Sequence, residues 1–531
     1  MEKKFNITGT CIPDKHYMVD TSNKIDKIIK LIEAEEYFII NRPRQYGKTT
    51  TLYLLEKKLN NIEGYLPIKI SFEAIDTESY SEVQKFINSI MIQIRNYFRF
   101  SSNKEVYKFI INQYNKINTM NEFSGFITDL VEFTEKKVIL IIDEVDKSSN
   151  NQLFLDFLGI LRSKYLLRNE GKDYTFNSVV LAGVHDVKTL KFKIRQDEEH
   201  KYNSPWNIAS DFDVDMSFSI EEIRTMLDDY TENKEMILDK AYFSERLYFY
   251  TSGYPFLVSK LCKIIDEKIM IKNELKWEKE YIDMAVKELL KESNTNFDSL
   301  IKNIENDIEL YEFIKKLVLE DEEIAYIKTD EIINKGSIYG ILKEDNGFCK
   351  INNKIYEQLI YNHMMMKVIR KSSYSAMSEY NYKLNFIKSN GDLDINKILI
   401  KFQGFMKHEY SEKRESFLED DGRLVFLAFI SPIINGTGFA FKEVQGGEEK
   451  RFDIVITYNR KMYILELKKW NGEEYHKKGL LQLAEYLEQY SLENGYLLIF
   501  DFRRLRGEVG KVEENTVIFN GKEKKIIEAY C

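Results

Sequence analysis

Six prolines in 531 residues, and no Gly- or Ser-rich tract, leave this chain without obvious linkers. Domain boundaries must therefore be found from changes in hydrophobic pattern. Cysteine is scarce as well: Cys11, Cys262, Cys349 and Cys531 are scattered, with no C-x-x-C pair and no clustered histidines. That argues against a disulfide framework or a zinc module and for reduced, mostly buried thiols. No apolar run approaches a membrane span, and MEKKFNITGTCIPDKHYMVD lacks a signal-peptide core. A cytoplasmic protein with no membrane partner is expected. Positive charge is not in excess either. Lys and Arg number 77 against 86 Asp and Glu, a net charge of −9 and a pI near 5.6, so any nucleic-acid contact needs a local basic patch.

The chain does have apolar and aromatic residues, 44% and 13% of the total, enough to bury real cores. The length suggests about three or four domains. The most informative stretch is Tyr37 to Thr50, YFIINRPRQYGKTT. Tyr37-Phe38-Ile39-Ile40 has the bulk of a buried strand, and Gly47-Lys48-Thr49 opens the amphipathic segment Thr50 to Leu59. Strand, loop and helix in that order make a phosphate cradle. Loop N–H groups and the helix N-terminus form a cationic concavity, Lys48 adds a mobile charge, and Thr49 offers a hydroxyl to Mg²⁺. Arg44, Gln45, Tyr46, Gly47, Lys48, Thr49 and Thr50 are the expected nucleotide contacts. Arg42 stands where the general pattern G-x-x-x-x-G-K-[ST] has its first glycine, so the half-motif alone is weak.

A second stretch strengthens it. Val138-Ile139-Leu140-Ile141-Ile142 is a continuous aliphatic run, as a parallel strand covered on both faces should be, and it ends in Asp143-Glu144. This is the Walker B pattern. Asp143 is the expected magnesium residue, and Glu144 the group that orients and deprotonates the attacking water. Leu66 to Phe72, with a helix over Ser81 to Phe98, and Ser178 to Gly183, after a helix around Gln152 to Leu167, complete an alternating α/β pattern. Further on, His185, Lys191, Lys193 and Arg195 are weaker candidates for nucleotide contact. Helical pattern from Ser219 to Glu267, broken at Ser252-Gly253-Tyr254-Pro255, reads as a lid. Helices near Leu310 to Leu319 and Thr329 to Asn334, an Asn346-Gly347 hairpin and helix Lys354 to Asn362 suggest a winged helix, followed by a connector over Tyr374 to Phe402.

From Lys407 the order is helix Ser411 to Ile430, strand Phe439 to Gln445, strand Arg451 to Tyr458, strand Lys461 to Lys468, helix Glu473 to Leu492 and strand Tyr496 to Phe500. A two-residue turn at Asn459-Arg460 pairs 458 with 461, and counting outward sets Asp453 opposite Glu466. Directly opposed residues have Cβ atoms about 4.5–5.5 Å apart, where two carboxylates repel unless a cation lies between them. Hard oxygens of that kind suit Mg²⁺ or Mn²⁺. Lys468 shares the face of Glu466, while Leu467 points into the core. Gln482 and Tyr486, four apart on the next helix, can brace the site, and Glu419 can add a third carboxylate, with Glu415 as its competitor.

The combination CIPDKHYMVD, INRPRQYGKTT, VILIIDEVD, HKYNSPWNIA and SGYPFLVSKLC resembles the bacterial AAA-ATPase-like family, related to the STAND and archaeal P-loop ATPases. In that family R-P-R-x-x-G-K-[ST] is the ordinary loop. RFDIVITYNRKMYILELKKW with QLAEYL resembles the PD-(D/E)XK nuclease domain commonly fused behind it. The resemblance implies nuclease roles for Asp453, Glu466 and Lys468, a Q-x-x-x-Y motif at Gln482 and Tyr486, and nucleotide roles for Lys48, Thr49, Asp143 and Glu144. It also implies a restriction-endonuclease-like fold and a part in genome defence or mobile-element biology.

The resulting expectation is an α/β protein. It comprises a P-loop core over 1–215, a helical lid over 216–305, a winged-helix-like module over 306–366, a connector over 367–406 and a nuclease-like domain over 407–531. ATP and Mg²⁺, with Mn²⁺ as an alternative at Asp453 and Glu466, are the expected cofactors. Nucleic acid, foremost DNA, is the expected partner, with a homo-oligomer and an activating partner left open. The rival reading is a nucleotide-switched signalling or binding protein whose nuclease fold is inactive.

Overall fold

The computed structural model describes residues 3–148, 151–184, 206–270, 276–319, 323–371, 386–409, 419–434, 438–445, 451–459, 461–490, 492–501 and 512–531. The chain divides into two compact units, Met1–Leu310 with Tyr326–Tyr356, and Tyr311–Ala325 with Glu357–Cys531.

The first unit is built on a parallel sheet of four strands, β1 (Phe38–Asn41), β2 (Tyr65–Ser71), β3 (Lys137–Asp143) and β4 (Ser178–Gly183), in the order β1-β4-β3-β2. Period-two alternation divides each strand between two cores. Phe38, Ile40, Ile139, Ile141, Val180 and Ala182 face helices α1 (Ser22–Glu33) and α2 (Lys48–Leu59). Ile39, Val138, Leu140, Ile142, Val179 and Leu181 face the other core, supplied by α3 (Val83–Arg99), α4 (Lys104–Tyr114), α5 (Met120–Thr134) and α6 (Gln152–Asn169). Both faces are covered, which is why β3 reads as an unbroken aliphatic run. Pro67 is tolerated because β2 lies at an edge of the sheet.

Helices α7 (Ile220–Lys234), α8 (Lys240–Thr251), α9 (Pro255–Ile264), α10 (Glu280–Lys291) and α11 (Thr295–Glu305) follow. Helix α7 starts at a capping box, with Ser219 and Glu222 satisfying each other's backbone N–H groups. The same Glu222 takes a 2.6 Å ion pair from Lys24 of α1. The N-terminal segment is held to the helices by Phe5, Tyr17 and Tyr230, whose rings pack at 4.9–5.1 Å. The break between α8 and α9 has a steric cause. Gly253 sits at φ +71°, and a Cβ there would lie 2.0 Å from the Phe218 carbonyl oxygen. Pro255 then opens α9 at a position where no N–H is needed.

The expected helix, helix, hairpin and helix are present as α12 (Ile308–Leu319), α13 (Glu331–Ile338), β5 (Leu342–Asp345), β6 (Phe348–Ile351) and α14 (Lys354–Lys371). Asn346 and Gly347 both have positive φ, the geometry of a two-residue hairpin turn.

In the second unit β7 (Gly438–Gln445), β8 (Arg451–Tyr458) and β9 (Lys461–Lys469) form an antiparallel meander. Parallel β10 (Asn494–Phe500) and β12 (Lys522–Tyr530) extend it, and β11 (Glu513–Phe519) closes the edge, giving β11-β12-β10-β9-β8-β7. The strands β11 and β12 lie beyond the last strand read from the sequence. Part of the expected connector is helix α15 (Ile395–Glu409), whose Phe402 packs edge-on to Phe426 of α16 (Glu419–Ile434). Its apolar face needs that cover, so it belongs to the unit and does not act as a spacer. Helix α17 (Glu473–Gln489) lays Leu483, Ala484, Tyr486 and Leu487 on Val455, Ile464, Leu497, Ile499 and Ile526.

All four cysteines are free; Cys262 and Cys349 are buried, and Cys11 and Cys531 partly so. Burial pushes the Cys262 thiol up, away from reactivity. Among the described residues no helix is long and apolar enough to cross a membrane.

Candidate functional site

The loop after β1 is shaped by its unusual residues. Arg42 turns away from the cradle: its guanidinium donates to the carbonyls of Val214 at 2.8 Å and Phe212 at 3.3 Å and lies over the Phe212 ring. Arg42 thus holds the strand-like segment beside β1, a task glycine could not perform. Its own carbonyl and that of Pro43 accept from Lys48 Nζ at 2.8 and 2.9 Å. Gly47, at φ +80°, is the residue before α2, and its left-handed backbone turns the chain into the helix. The Arg44 carbonyl takes the Tyr254 hydroxyl at 2.6 Å, and the Tyr254 ring meets Tyr46 edge-on at 4.7 Å. Thr50 Oγ1 accepts the Cys11 N–H, so the N-terminal segment is tied to α2.

A cleft of about 610 Å³ opens above this loop. Its floor is Arg44 to Thr51, Glu144 reaches its edge, and Tyr17, Val19, Met216, Phe218 and Pro255 make an apolar wall. The acids come from the carboxyl end of β3, one strand removed from β1. Asp143 is buried and its Oδ1 accepts the Glu144 N–H at 3.0 Å, while Glu144 has φ +55°. Thr49, Asp143 and Glu144 line one cleft together with Glu73. Burial pushes the Lys48 ammonium down, against the pull of Glu144, Asp146 and Asp143. Burial likewise raises Glu144, against the pull of Lys48. A buried ammonium whose hydrogen bonds go to carbonyls, beside a carboxylate with raised proton affinity, suits a polyanion and a water to be deprotonated.

In the second unit the β8–β9 ladder pairs Tyr458 with Lys461 and runs to Ile454 with Leu465. One step further Asp453 does not continue the ladder; its Oδ2 accepts the Leu467 N–H at 2.8 Å. Its Oδ1 takes the Arg423 guanidinium of α16 at 3.1 Å. Glu466 Oε1 is 2.9 Å from Lys468 Nζ. Glu466 is not on an open face, since α17 covers that side and leaves it 1% exposed, as buried as Leu467. Burial and the neighbouring Asp453 push the Glu466 carboxyl up to about 7, against the pull of Lys468. Its Oε2 is buried with no hydrogen-bond donor. Gln482 donates to the Tyr486 hydroxyl at 2.7 Å, and the charges of Glu466, Asp453 and Lys468 all act on that hydroxyl, which burial raises. Gly479 of the same helix lies against the Lys468 stem. Asp453, Glu466, Lys468, Gln482 and Tyr486 therefore share one pocket of charge.

Other expected residues fall elsewhere. His185, Lys191, Lys193, Arg195 and Glu415 lie outside the described residues, and Glu419 begins α16 with its side chain likewise outside them. Among the described residues no group of three or more His, Cys, Asp or Glu could hold a metal. The carboxylate pair with its orphaned Glu466 oxygen still fits Mg²⁺, which is commonly bound through one or two carboxylates, with waters and phosphate oxygens completing the shell.

The family model described as an AAA-like domain matches residues 14–362. The chain belongs to this family. Three solved structures that it is similar to are a Walker-type ATPase of Pyrococcus abyssi, the ORC2 protein of Aeropyrum pernix with ADPNP and ADP, and the RuvB Holliday junction branch migration motor of Thermotoga maritima. The first is 13% identical at a TM-score of 0.43, covering 67% of this chain and 99% of the other. The second is 11% identical at 0.36, covering 65% and 93%. The third is 14% identical at 0.33, covering 67% and 98%. No curated protein matches.

The AAA-like domain holds a P-loop, and several residues around its loop and cleft were not revealed by motif spacing. Asp146 accepts the Val184 N–H at 2.5 Å and so links β3 to the end of β4; its signal was the second aspartate of Asp143-Glu144-Val145-Asp146. Tyr254 and the apolar wall come from the helices and the N-terminal segment, where only SGYP and CIPDKHYMVD pointed to them. Arg423 carried no sequence signal.

Proposed function

We propose that this AAA-like protein couples ATP binding and hydrolysis to a divalent-cation-dependent nuclease in its second unit. The observation that carries the reading is the buried Glu466 between the half-buried Asp453 and Lys468, beneath Gln482 and Tyr486, in a chain whose first unit holds a P-loop.

At the first site the N–H groups of Gly47 to Thr50 and the α2 N-terminus receive the phosphates. Lys48 exchanges its two carbonyl acceptors for phosphate oxygens. Thr49 and Asp143 would hold Mg²⁺, which would neutralise phosphate charge. Glu144, its proton affinity raised, takes the proton of the attacking water as the water's oxygen bonds to the γ-phosphorus and the bond to the bridging oxygen breaks.

At the second site Asp453 and Glu466 would hold the cation, which would acidify water and neutralise a phosphodiester. Lys468 orients the attacking water and offsets charge that builds on the phosphate. Gln482 and Tyr486 brace Lys468 and Glu466 from the helix above. Water oxygen bonds to phosphorus as its proton passes to solvent, one ester P–O bond breaks, and the leaving oxygen takes a proton from solvent.

The test is cleavage of plasmid and single-stranded DNA with Mg²⁺, with and without ATP, beside Glu466→Ala. Cleavage present in the native chain and lost in the variant supports the reading, and ATP dependence supports coupling. A chain with ATP turnover and no cleavage under Mg²⁺ or Mn²⁺ overturns it. A second reading, a nucleotide-switched binding protein, is favoured by one feature: Arg423 and Lys468 already balance Asp453 and Glu466 without a metal. A protein of that kind would tolerate Glu466→Gln.

A further inference from the structure

Arg423 is the residue of the second unit that neither motif nor resemblance assigns. It stands one residue after Gly422, where a Cβ would lie 2.3 Å from the Phe500 ring, so α16 approaches the sheet closely at this point. That approach delivers a guanidinium, nearly buried at 9% side-chain exposure, to Asp453. Among the described residues, two carboxylates, Asp453 and Glu466, meet two cations, Arg423 and Lys468, here.

A divalent cation placed between the carboxylates would bring its charge close to the guanidinium, and like charges in a poorly solvated pocket repel strongly. Asp453 is nonetheless ready to stay where it is, since its second oxygen is held by the Leu467 N–H and does not depend on Arg423. Glu466 Oε2, buried without a donor, marks where a cation would find an unsatisfied oxygen. A guanidinium fork matches a phosphate as well as a carboxylate. If it leaves Asp453, the nearest suitable partner in a nuclease is the phosphate of the incoming strand.

We propose that Arg423 is both an internal competitor for the cation and the residue that binds the substrate phosphate: in the resting chain it holds Asp453, and when cation and nucleic acid enter it passes to the phosphate. This rests on the nuclease reading above. It makes the centre closed to metal alone and open to metal with substrate.

The test uses the full chain, free of nucleotide, with Mn²⁺ binding measured by calorimetry and binding of a fluorescein-labelled DNA oligonucleotide, single- and double-stranded, measured in Ca²⁺. Asp453→Asn separates this site from cation bound at the P-loop. In Arg423→Gln, Mn²⁺ binding should tighten about tenfold and DNA binding weaken about tenfold, the scale of one charge-assisted contact. Unchanged or weaker Mn²⁺ binding in a variant that unfolds at the native temperature overturns the proposal and makes the ion pair purely structural. Should that variant fail to fold, Arg423→Lys decides: it keeps the charge and loses the fork, so DNA binding must fall while Mn²⁺ affinity holds, and equal DNA binding overturns the proposal. Cleavage by the native chain with unaltered affinities in Arg423→Gln removes this inference alone. Absence of Mn²⁺ binding in native and variant chains removes the nuclease reading with it.

Discussion

Each unit holds a lysine beside carboxylates, and the two pairs are in opposite electrostatic conditions. Lys48 is held by the carbonyls of Arg42 and Pro43, neutral acceptors, and burial makes its charge costly. Lys468 is matched to Glu466, and Arg423 to Asp453. In the first centre the ammonium gives its hydrogen bonds to carbonyls although Asp143, Glu144 and Asp146 lie around it, whereas in the second each described cation contacts a carboxylate. A polyanion relieves the first, whereas the second must exchange an internal cation for an external one. The same two residue types, Lys and Glu, therefore serve different ends, and the backbone around them makes the difference: a left-handed glycine and a helix N-terminus at Lys48, an open strand end roofed by a helix at Lys468.

The largest effect that would sharpen this contrast is expected from Lys48→Ala. Loss of the lysine proposed for the phosphates should weaken ATP binding or turnover by about two orders of magnitude or more, measured by fluorescent-nucleotide titration and phosphate release, with the second unit still folded. Asp453→Ala should do the converse, removing cleavage by a comparable factor while ATP turnover stays within about twofold. Loss of ATP turnover in a folded Asp453→Ala chain would break the idea of two separable centres.

A third expectation concerns pH. Glu466 is easier to protonate in the folded chain, at about 7 against an ordinary 4.5. The folded state therefore carries the extra proton between those values, and stability from this group is full below the lower one and lost as pH rises through the upper one. Glu466→Gln should raise the unfolding temperature at pH 8, by the equivalent of about 1 kcal/mol or more, and the gain should fade towards pH 5. A gain independent of pH would show that the carboxylate is not the cause.

Smaller effects should come from the loop's outer contacts. Gly340 sits at φ +71°, and a Cβ there would lie 2.6 Å from Pro43 Cγ. Gly340→Ala should cost about 1–2 kcal/mol of stability through backbone strain, seen in thermal melts, and weaken ATP binding by displacing Pro43. Tyr254→Phe removes the hydrogen bond to the Arg44 carbonyl and the hydroxyl's contacts with Tyr356 and Asn296, while keeping the ring. About 1 kcal/mol, or a several-fold loss of nucleotide affinity, is expected from a single bond of this kind.

Much of the frame was legible because its signals are local. Strands β1, β3 and β4, the Asn346-Gly347 turn and the α17 face are each read from periodicity or turn chemistry within a few residues. The pairing of 458 with 461 followed from turn length, and it brought Asp453 to the end of the ladder beside β9. What the count could not reveal was the end of that ladder, where a side chain replaces a backbone acceptor, or the burial of Glu466. Period-two alternation assigns Glu466 and Leu467 to opposite faces, yet helices cover both. Helices α4 and α5 and strands β11 and β12 were missed, although Thr119 and Glu122 form a capping box at the start of α5.

By itself the sequence determined the phosphate-binding order of strand, glycine turn and helix, the acidic end of β3, and the order of residues in the carboxylate centre, since each depends on neighbours along the chain. Tertiary structure alone decided that Arg42 faces away from the cradle, that Tyr254 props the loop from two hundred residues on, and that Arg423 meets Asp453. Those contacts depend on which helices cover which faces, and an isolated residue pattern does not record a partner that lies far along the chain.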